Sequence, residues 1–169
     1  EGGAVFAEES NLRFEHCVFE ENIANQTLGG ALAVWWTDLV LEDCDVVGNM
    51  AFGWFEYEGI GGGVFFYGHS HCTIINSRFR YNQAEDEAGG AYLWCGNIGT
   101  ARIEGSEFIG HQSGAIYALS GALFTVSDSE FRGNTGYSLF ASMKARVMRC
   151  SFLDNYSWAL KCDAESTTI

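Results

Sequence analysis

Aromatic rings set beside carboxylates are the clearest chemical signal in this sequence. After Asn49 the chain inserts Met50-Ala51-Phe52-Gly53-Trp54-Phe55-Glu56-Tyr57-Glu58-Gly59-Ile60, and after Asn82 it carries Gln83-Ala84-Glu85-Asp86-Glu87-Ala88. Together these give Trp54, Phe55 and Tyr57 beside Glu56, Glu58, Glu85, Asp86 and Glu87, a candidate ligand site. Rings of this kind stack on sugar faces, and two carboxylates ~5 to 9 Å apart can act as acid and base on a glycosidic bond. The same composition also suits a folded lid over the core or a contact surface for another chain. No residue is therefore assigned a catalytic role.

A second zone contains Trp35-Trp36-Thr37-Asp38, Tyr67-Gly68-His69-Ser70-His71 and Cys95-Gly96-Asn97. His69 and His71 alternate across a turn, but two His without a third fixed ligand do not define a metal site. The six Cys show no CxxC or Cys/His zinc spacing. No cofactor is expected, Ca²⁺ being the one that the acidic composition admits.

The elements that must position these residues come from a repeat. A phrase of small residue, any residue, large apolar residue, two residues and Asn occurs at Cys17 to Asn22, Cys44 to Asn49, Ser77 to Asn82, Ser129 to Asn134 and Cys150 to Asn155, with His111 closing a sixth copy from Ser106. A second phrase lies about 15 residues upstream of each large apolar position: Gly2-Gly3-Ala4-Val5, Gly29-Gly30-Ala31-Leu32, Gly61-Gly62-Gly63-Val64 and Gly89-Gly90-Ala91-Tyr92, decaying to Ser113-Gly114-Ala115-Ile116 and then to Trp158-Ala159-Leu160, where a seventh copy begins. A period of roughly 20 to 33 residues marks stacked supersecondary units.

Between the two phrases run alternating segments such as Leu12-Arg13-Phe14-Glu15 and Ala101-Arg102-Ile103-Glu104, the period of a half-buried strand. Aligned by copy, Leu12, Leu39, Cys72, Ala101, Phe124 and Ala145 form one inward column, and Phe14, Leu41, Ile74, Ile103, Val126 and Val147 another. His16, Asp43, Asn76, Gly105, Asp128 and Arg149 mark a bend once per copy. Each copy thus offers about three short strands separated by turns, and copies stacked at ~4.8 Å close a continuous core. The fold class expected is all-β, a right-handed parallel β-helix of six to seven coils, pectin-lyase-like, filling residues 1–169 as one domain. Helices lose because no segment sustains a 3.6 period, and the coils are too short for propeller blades.

In that frame Asn22, Asn49, Asn82, Asn134 and Asn155 form a structural column, a side-chain ladder at the corner, with His111 as a turn substitute. Cys17, Cys44 and Cys150 share the small inward column with Ser77, Ser106 and Ser129, and read as buried thiols; Cys17 and Cys44, in adjacent coils, come within disulfide range. The Gly-Gly strands are apolar on both faces: Val5, Leu32, Val64, Tyr92, Ile116, Leu139 and Leu160 form one column, and Phe6, Ala33, Phe65, Leu93, Tyr117, Phe140 and Lys161 the other. One flank is thus expected to pack against another chain, another domain or a carbohydrate. The outward column Val18, Asp45, Arg78, Glu107, Glu130, Ser151 contains no acid cluster with a facing base of the kind β-helical polysaccharide lyases use; its only local candidate is Asp43, Asp45 and Arg78.

Paired as Phe19-Glu20-Glu21-Asn22 with Gly29-Gly30-Ala31-Leu32, and Phe79-Arg80-Tyr81-Asn82 with Gly89-Gly90-Ala91-Tyr92, the two phrases resemble the repeat of the chlamydial polymorphic outer-membrane proteins over nearly the whole chain. The resemblance implies a β-helical passenger at a cell surface, with a role in adhesion and no catalysis. The membrane barrel that anchors that family is absent from this sequence.

Bulk properties agree. Nine basic against 22 acidic residues, net −13, exclude a phosphate-backbone partner and so nucleic acid. No apolar run reaches the ~18 residues of a transmembrane segment. Twenty-one Gly and no Pro suit tight turns and ladder-bonded strands. The chain opens mid-phrase, so a piece of a longer polypeptide is expected. The function expected is a structural or adhesive module of a secreted or cell-surface protein, contacting other domains, copies of its own or a related chain, or glycans. A carbohydrate-active enzyme and a self-assembling fibre or sheath subunit are the alternatives.

Overall fold

A computed structural model describes residues 3–53 and 59–163, together with the backbone of 167–168. Trp54, Phe55, Glu56, Tyr57 and Glu58 lie outside the described residues. The described chain is built of strands and turns, without helix, and the strands form parallel sheets. The Gly-Gly sheet orders Val5–Glu8, Leu32–Trp35, Val64–Tyr67, Ala91–Trp94, Ile116–Leu119, Leu139–Ala141 and Leu160–Cys162. The second sheet holds the alternating strands, from Asn11–Glu15 to Ala145–Met148 and Thr167–Thr168. The third holds Val18–Glu20, Asp45–Val47, Arg78–Arg80, Glu107–Ile109, Glu130–Arg132 and Ser151–Leu153. Each strand pairs with its counterpart one coil away, as in Leu12↔Leu39↔Cys72↔Ala101↔Phe124↔Ala145. This is a parallel β-helix.

Coils one to three depart from the three-strand expectation. Ile23–Asn25, Met50–Phe52 and Gln83–Ala84 form a fourth, short sheet beyond the Asn corner. Ala24, Ala51 and Ala84 face inward there and are buried, which gives these longer coils an extra wall. Later coils have fewer residues between the Asn corner and the next Gly-Gly strand, and keep three.

The interior is filled by stacked columns. Leu39, Leu41, Ile74, Ile103, Phe124 and Val126 are fully buried. Phe79, Phe108, Phe131 and Phe152 stack ring on ring, with centroids 4.8, 5.3 and 4.9 Å apart and planes within 17° of parallel. In-register parallel pairing places identical side chains one strand spacing apart, which is also the offset-stacking distance of aromatic rings. The bends fall at His16, Asp43, Asn76, Gly105, Asp128 and Arg149, all in the left-handed region, with φ from 49° to 59°.

Side-chain ladders satisfy the corners that sheet bonding leaves open. Asn49 Oδ1 accepts from the backbone N–H and Nδ2 of Asn22, and Asn82 Oδ1 accepts the same pair from Asn49. The Nδ2 groups of Asn49 and Asn82 also donate to the carbonyls of Phe19 and Val46, one coil back. Asn155 serves Asn134 in the same way. His111 occupies this column as an imidazole: Nδ1 accepts from the N–H of Asn82 at 3.2 Å, while Nε2 is buried without a hydrogen-bond partner.

The sequence reading missed a second ladder. The hydroxyls of Ser77, Ser106 and Ser129 accept from the N–H groups of Cys44, Ser77 and Ser106, each at 3.1 Å, and donate to carbonyls two residues back. The alternation of Ser with Cys in one column was its only signal.

Coil four requires a correction of register. Ala91 pairs with Val64 and Ile116, and Tyr92 with Phe65 and Tyr117. The outward column is therefore Phe6, Ala33, Phe65, Tyr92, Tyr117, Phe140, Lys161, and Leu93 points into the core. The third Gly of Gly61-Gly62-Gly63 displaces the phrase by one residue, so Gly30, Gly62 and Gly89 share a column. There the backbones touch: a Cβ on Gly30 would stand 2.0 Å from the carbonyl oxygen of Gly62, and one on Gly62 would stand 2.2 Å from the carbonyl oxygen of Gln83.

Candidate functional site

The outer face of the Gly-Gly sheet is aromatic because each four-residue strand presents two outward positions and in-register stacking repeats them. Phe65 and Tyr92 stack at 5.4 Å with planes 9° apart. Trp35 lies 5.3 Å from Phe65 and 4.9 Å from Tyr67, tilted by 48° and 46°, and Tyr67 lies 3.8 Å from Trp94. Between coils two and four this face contains a cavity of about 300 Å³ lined by Leu28, Trp35, Ile60, Phe65, Tyr67 and Tyr92. Leu28 and Ile60 precede the left-handed Gly29 and Gly61, and the bonds Gly29 N–H to Ile60 O and Gly61 N–H to Glu87 O stack them in one column, which Glu87 continues.

The described ends of the coil-two insertion, Gly53 and Gly59, meet Glu85 of the next coil. The N–H of Glu85 donates to the carbonyl of Gly59, and its carboxylate accepts from the N–H of Gly53 at 3.0 Å. Glu85 is thus engaged in holding the loops together. Glu87 is half-buried, and burial, then the neighbouring Asp86, raises its carboxyl above the ordinary range. Tyr117 is pushed up to about 12 by burial, then by the charges of Glu87, Tyr137 and Asp86.

The other candidates resolve into structural roles. His69 Nδ1 accepts from the N–H of Asn97, His71 Nδ1 bonds the hydroxyl of Thr100, and Asp38 accepts from the N–H of His71. Among the described residues no three His, Cys, Asp or Glu side chains converge as metal ligands. Asp45 accepts from Arg78, Nε at 2.6 Å, and Arg149 grips both oxygens of Asp128 at 2.6 Å, so these charges are paired across coils. Cys17 and Cys44 are free thiols, as are Cys72, Cys95 and Cys150. Burial pushes Cys95 up to about 12 and Cys72 well above the ordinary value, so neither is a nucleophile. No helix of the described residues is long and apolar enough to cross a membrane.

Trp35, Tyr67 and the apolar outer column were visible in the sequence. The cavity they share with Tyr92 was not, because the one-residue shift in coil four hid Tyr92; the matched pairs Phe65-x-Tyr67 and Tyr92-x-Trp94 were the signal that would have corrected it.

With this geometry in view, the comparisons are consistent. A family model described as a right handed beta helix region matches residues 62–169. The chain belongs to the right-handed β-helix family. Metabotropic glutamate receptor-like protein R of Dictyostelium discoideum is 28% identical to this β-helix over 137 residues, covering 80% of this chain and 6% of that protein. The chain thus spans a small fraction of the length of that relative. No solved structure matches this β-helix.

Proposed function

We propose that this β-helix is a non-catalytic structural and adhesive module of a larger secreted or cell-surface protein, making contact with protein or glycan through the aromatic outer face of its Gly-Gly sheet and the loops beside it. The observation that carries the reading is the run of partly exposed Trp35, Tyr67, Tyr92 and Trp94 on the outer side of the Gly-Gly sheet, packed about the buried Phe65, with a cavity lined by Trp35, Phe65, Tyr67 and Tyr92. Phe65 is buried by its neighbours, while Trp35, Tyr67, Tyr92 and Trp94 stay partly exposed, and a cluster of partly exposed large aromatics marks a contact surface. Two further points support the reading: the paired phrases resemble the polymorphic outer-membrane protein repeat, and the Dictyostelium relative is described as receptor-like.

A carbohydrate-active role is the second reading. It is favoured by Glu87, a half-buried carboxyl held above its usual range by burial and then by the neighbouring Asp86. Glycan and protein arrays probed with the 169-residue chain, followed by product analysis of every bound glycan, test both. Selective binding without cleavage is expected, lost in Tyr67→Ala and kept in Arg146→Ala on another sheet. Cleavage that disappears in Glu87→Gln would replace the adhesive reading with the enzymatic one.

A further inference from the structure

We infer that Asn25 is an attachment site for an N-linked glycan, and that Asn155, which carries the same acceptor pattern, is not. The site rests on the secreted or cell-surface reading proposed above, because such transfer belongs to proteins that pass through a secretory compartment.

The acceptor pattern is Asn, any residue but Pro, then Ser or Thr. Two stretches of the chain meet it: Asn25-Gln26-Thr27 and Asn155-Tyr156-Ser157. The fold separates them, since a glycan is bulky and hydrated and needs an asparagine whose amide reaches water without cost to the structure.

Asn25 ends the short strand Ile23–Asn25, in which Ala24 points into the core while Ile23 and Asn25 are exposed on the outer side. Gln26, also exposed, lies in the left-handed region with φ 58° and turns the chain, after which the N–H of Thr27 donates to the carbonyl of Phe52 at 3.2 Å. The acceptor therefore sits on a surface turn. Among the described residues the side-chain amide of Asn25 has no hydrogen-bond partner, so no bond of the solenoid is lost when its nitrogen carries a sugar.

Asn155 is a rung of the corner ladder instead. Its Oδ1 accepts from the backbone N–H of Asn134 at 3.0 Å and from Nδ2 of Asn134 at 3.1 Å, and its own Nδ2 donates to the carbonyl of Phe131 at 3.0 Å. Both ends of the amide are committed to the fold. The amides above it in the column, Asn49, Asn82 and Asn134, are wholly buried, and a sugar on Nδ2 of Asn155 would push the rung away from the carbonyl it serves.

In the transfer, Nδ2 of Asn25 bonds to the anomeric carbon of a lipid-linked oligosaccharide pyrophosphate as the bond from that carbon to the pyrophosphate oxygen breaks. Nδ2 gives up one proton, and the lipid pyrophosphate leaves with the bonding electron pair. No oxidant or reductant takes part.

The test is secretion of the 169-residue chain from cultured eukaryotic cells behind a cleavable signal peptide, with a C-terminal tag that carries its own Asn-x-Thr acceptor and so reports entry into the lumen. Site occupancy is read by mass spectrometry before and after peptide:N-glycosidase, which leaves Asp where a glycosylated Asn stood. The secreted chain is expected to carry a glycan on Asn25 and none on Asn155. Asn25→Gln and Thr27→Ala should each lose the whole mass shift of that glycan, Thr27→Ser should keep it, and Asn155→Gln should leave it unchanged. A tag that is glycosylated on a secreted chain whose Asn25 is bare overturns the inference and leaves the secreted reading standing. A glycan on Asn155 of the secreted, folded chain overturns the assignment of the two sites. A bare tag on a chain held inside the cells takes down both the site and the secreted reading.

Discussion

Asn82 is a fully buried rung of the corner ladder. It accepts two bonds from Asn49, donates to the carbonyl of Val46, and its own N–H is received by His111, all without exposure to water. Asn82→Ala leaves several buried backbone groups unpaired and is expected to cost roughly 2–4 kcal/mol, read from urea denaturation. His111 sets a pH dependence. Burial lowers its pKa to about 4, below the ~6.5 of the unfolded chain, so the unfolded state binds the extra proton first. Its contribution is complete above pH ~6.5 and is lost as pH falls towards 4, amounting to about 3 kcal/mol across that window. The wild-type stability curve should therefore fall more steeply than that of His111→Asn between pH ~6.5 and about 4, whatever the absolute stability of the variant; parallel curves would show that the imidazole is hydrated in the fold.

At the scale of the strand and corner, the close backbone column makes the sharpest prediction. Gly62→Ala sets a methyl against the carbonyl oxygens of Gln83 and Gly89, atoms that belong to sheet-bonded backbone and cannot turn aside. It is expected to disrupt coils two to four, seen as a lowered melting temperature and lost near-ultraviolet signal from the aromatic face, whereas Gly133→Ala, with open space around its Cβ, should lose only about 1 kcal/mol, the cost of a left-handed position. In the core, Phe108→Ala removes the middle of the ring stack and should cost about 3–5 kcal/mol. Elements of this kind were legible in the sequence because each position recurs every coil: the inward columns of the alternating strands, the left-handed bends and the Phe stack follow from residue class at fixed offset. The misread strand was the one where offset failed. Gly61-Gly62-Gly63 offers two ways to align a Gly-Gly pair, and glycine itself carries no side-chain pattern to choose between them. The cavity was not legible for a related reason: Leu28 and Ile60 are separated by loop lengths that periodicity cannot measure, and only the closed turns bring them beside Trp35 and Tyr92.

For the whole molecule, contacts join each coil to its immediate neighbours, so stability accumulates as in a one-dimensional array. Val5, Leu12 and Phe14 in the first coil are only partly covered, while Leu32, Leu39 and Leu41 in the second are fully buried; Phe152 and Leu160 mark the same loss at the other end. Hydrogen exchange of the 169-residue chain should show protection highest in coils three to five and falling towards both ends. Uniform protection would mean that the array unfolds as one unit. The Asn ladder carries a consequence for how such a chain can diversify. Its rungs link residues 27, 33, 29, 23 and 21 positions apart with the same kind of bond, a backbone N–H received by the side chain one coil on. Each rung takes its acceptor from the coil after it and is indifferent to how many residues intervene. A coil is therefore a cassette with standard joints at both faces: duplication or exchange of one between genes preserves the joints, and the loop it brings along arrives already mounted, free to vary without renegotiating the core.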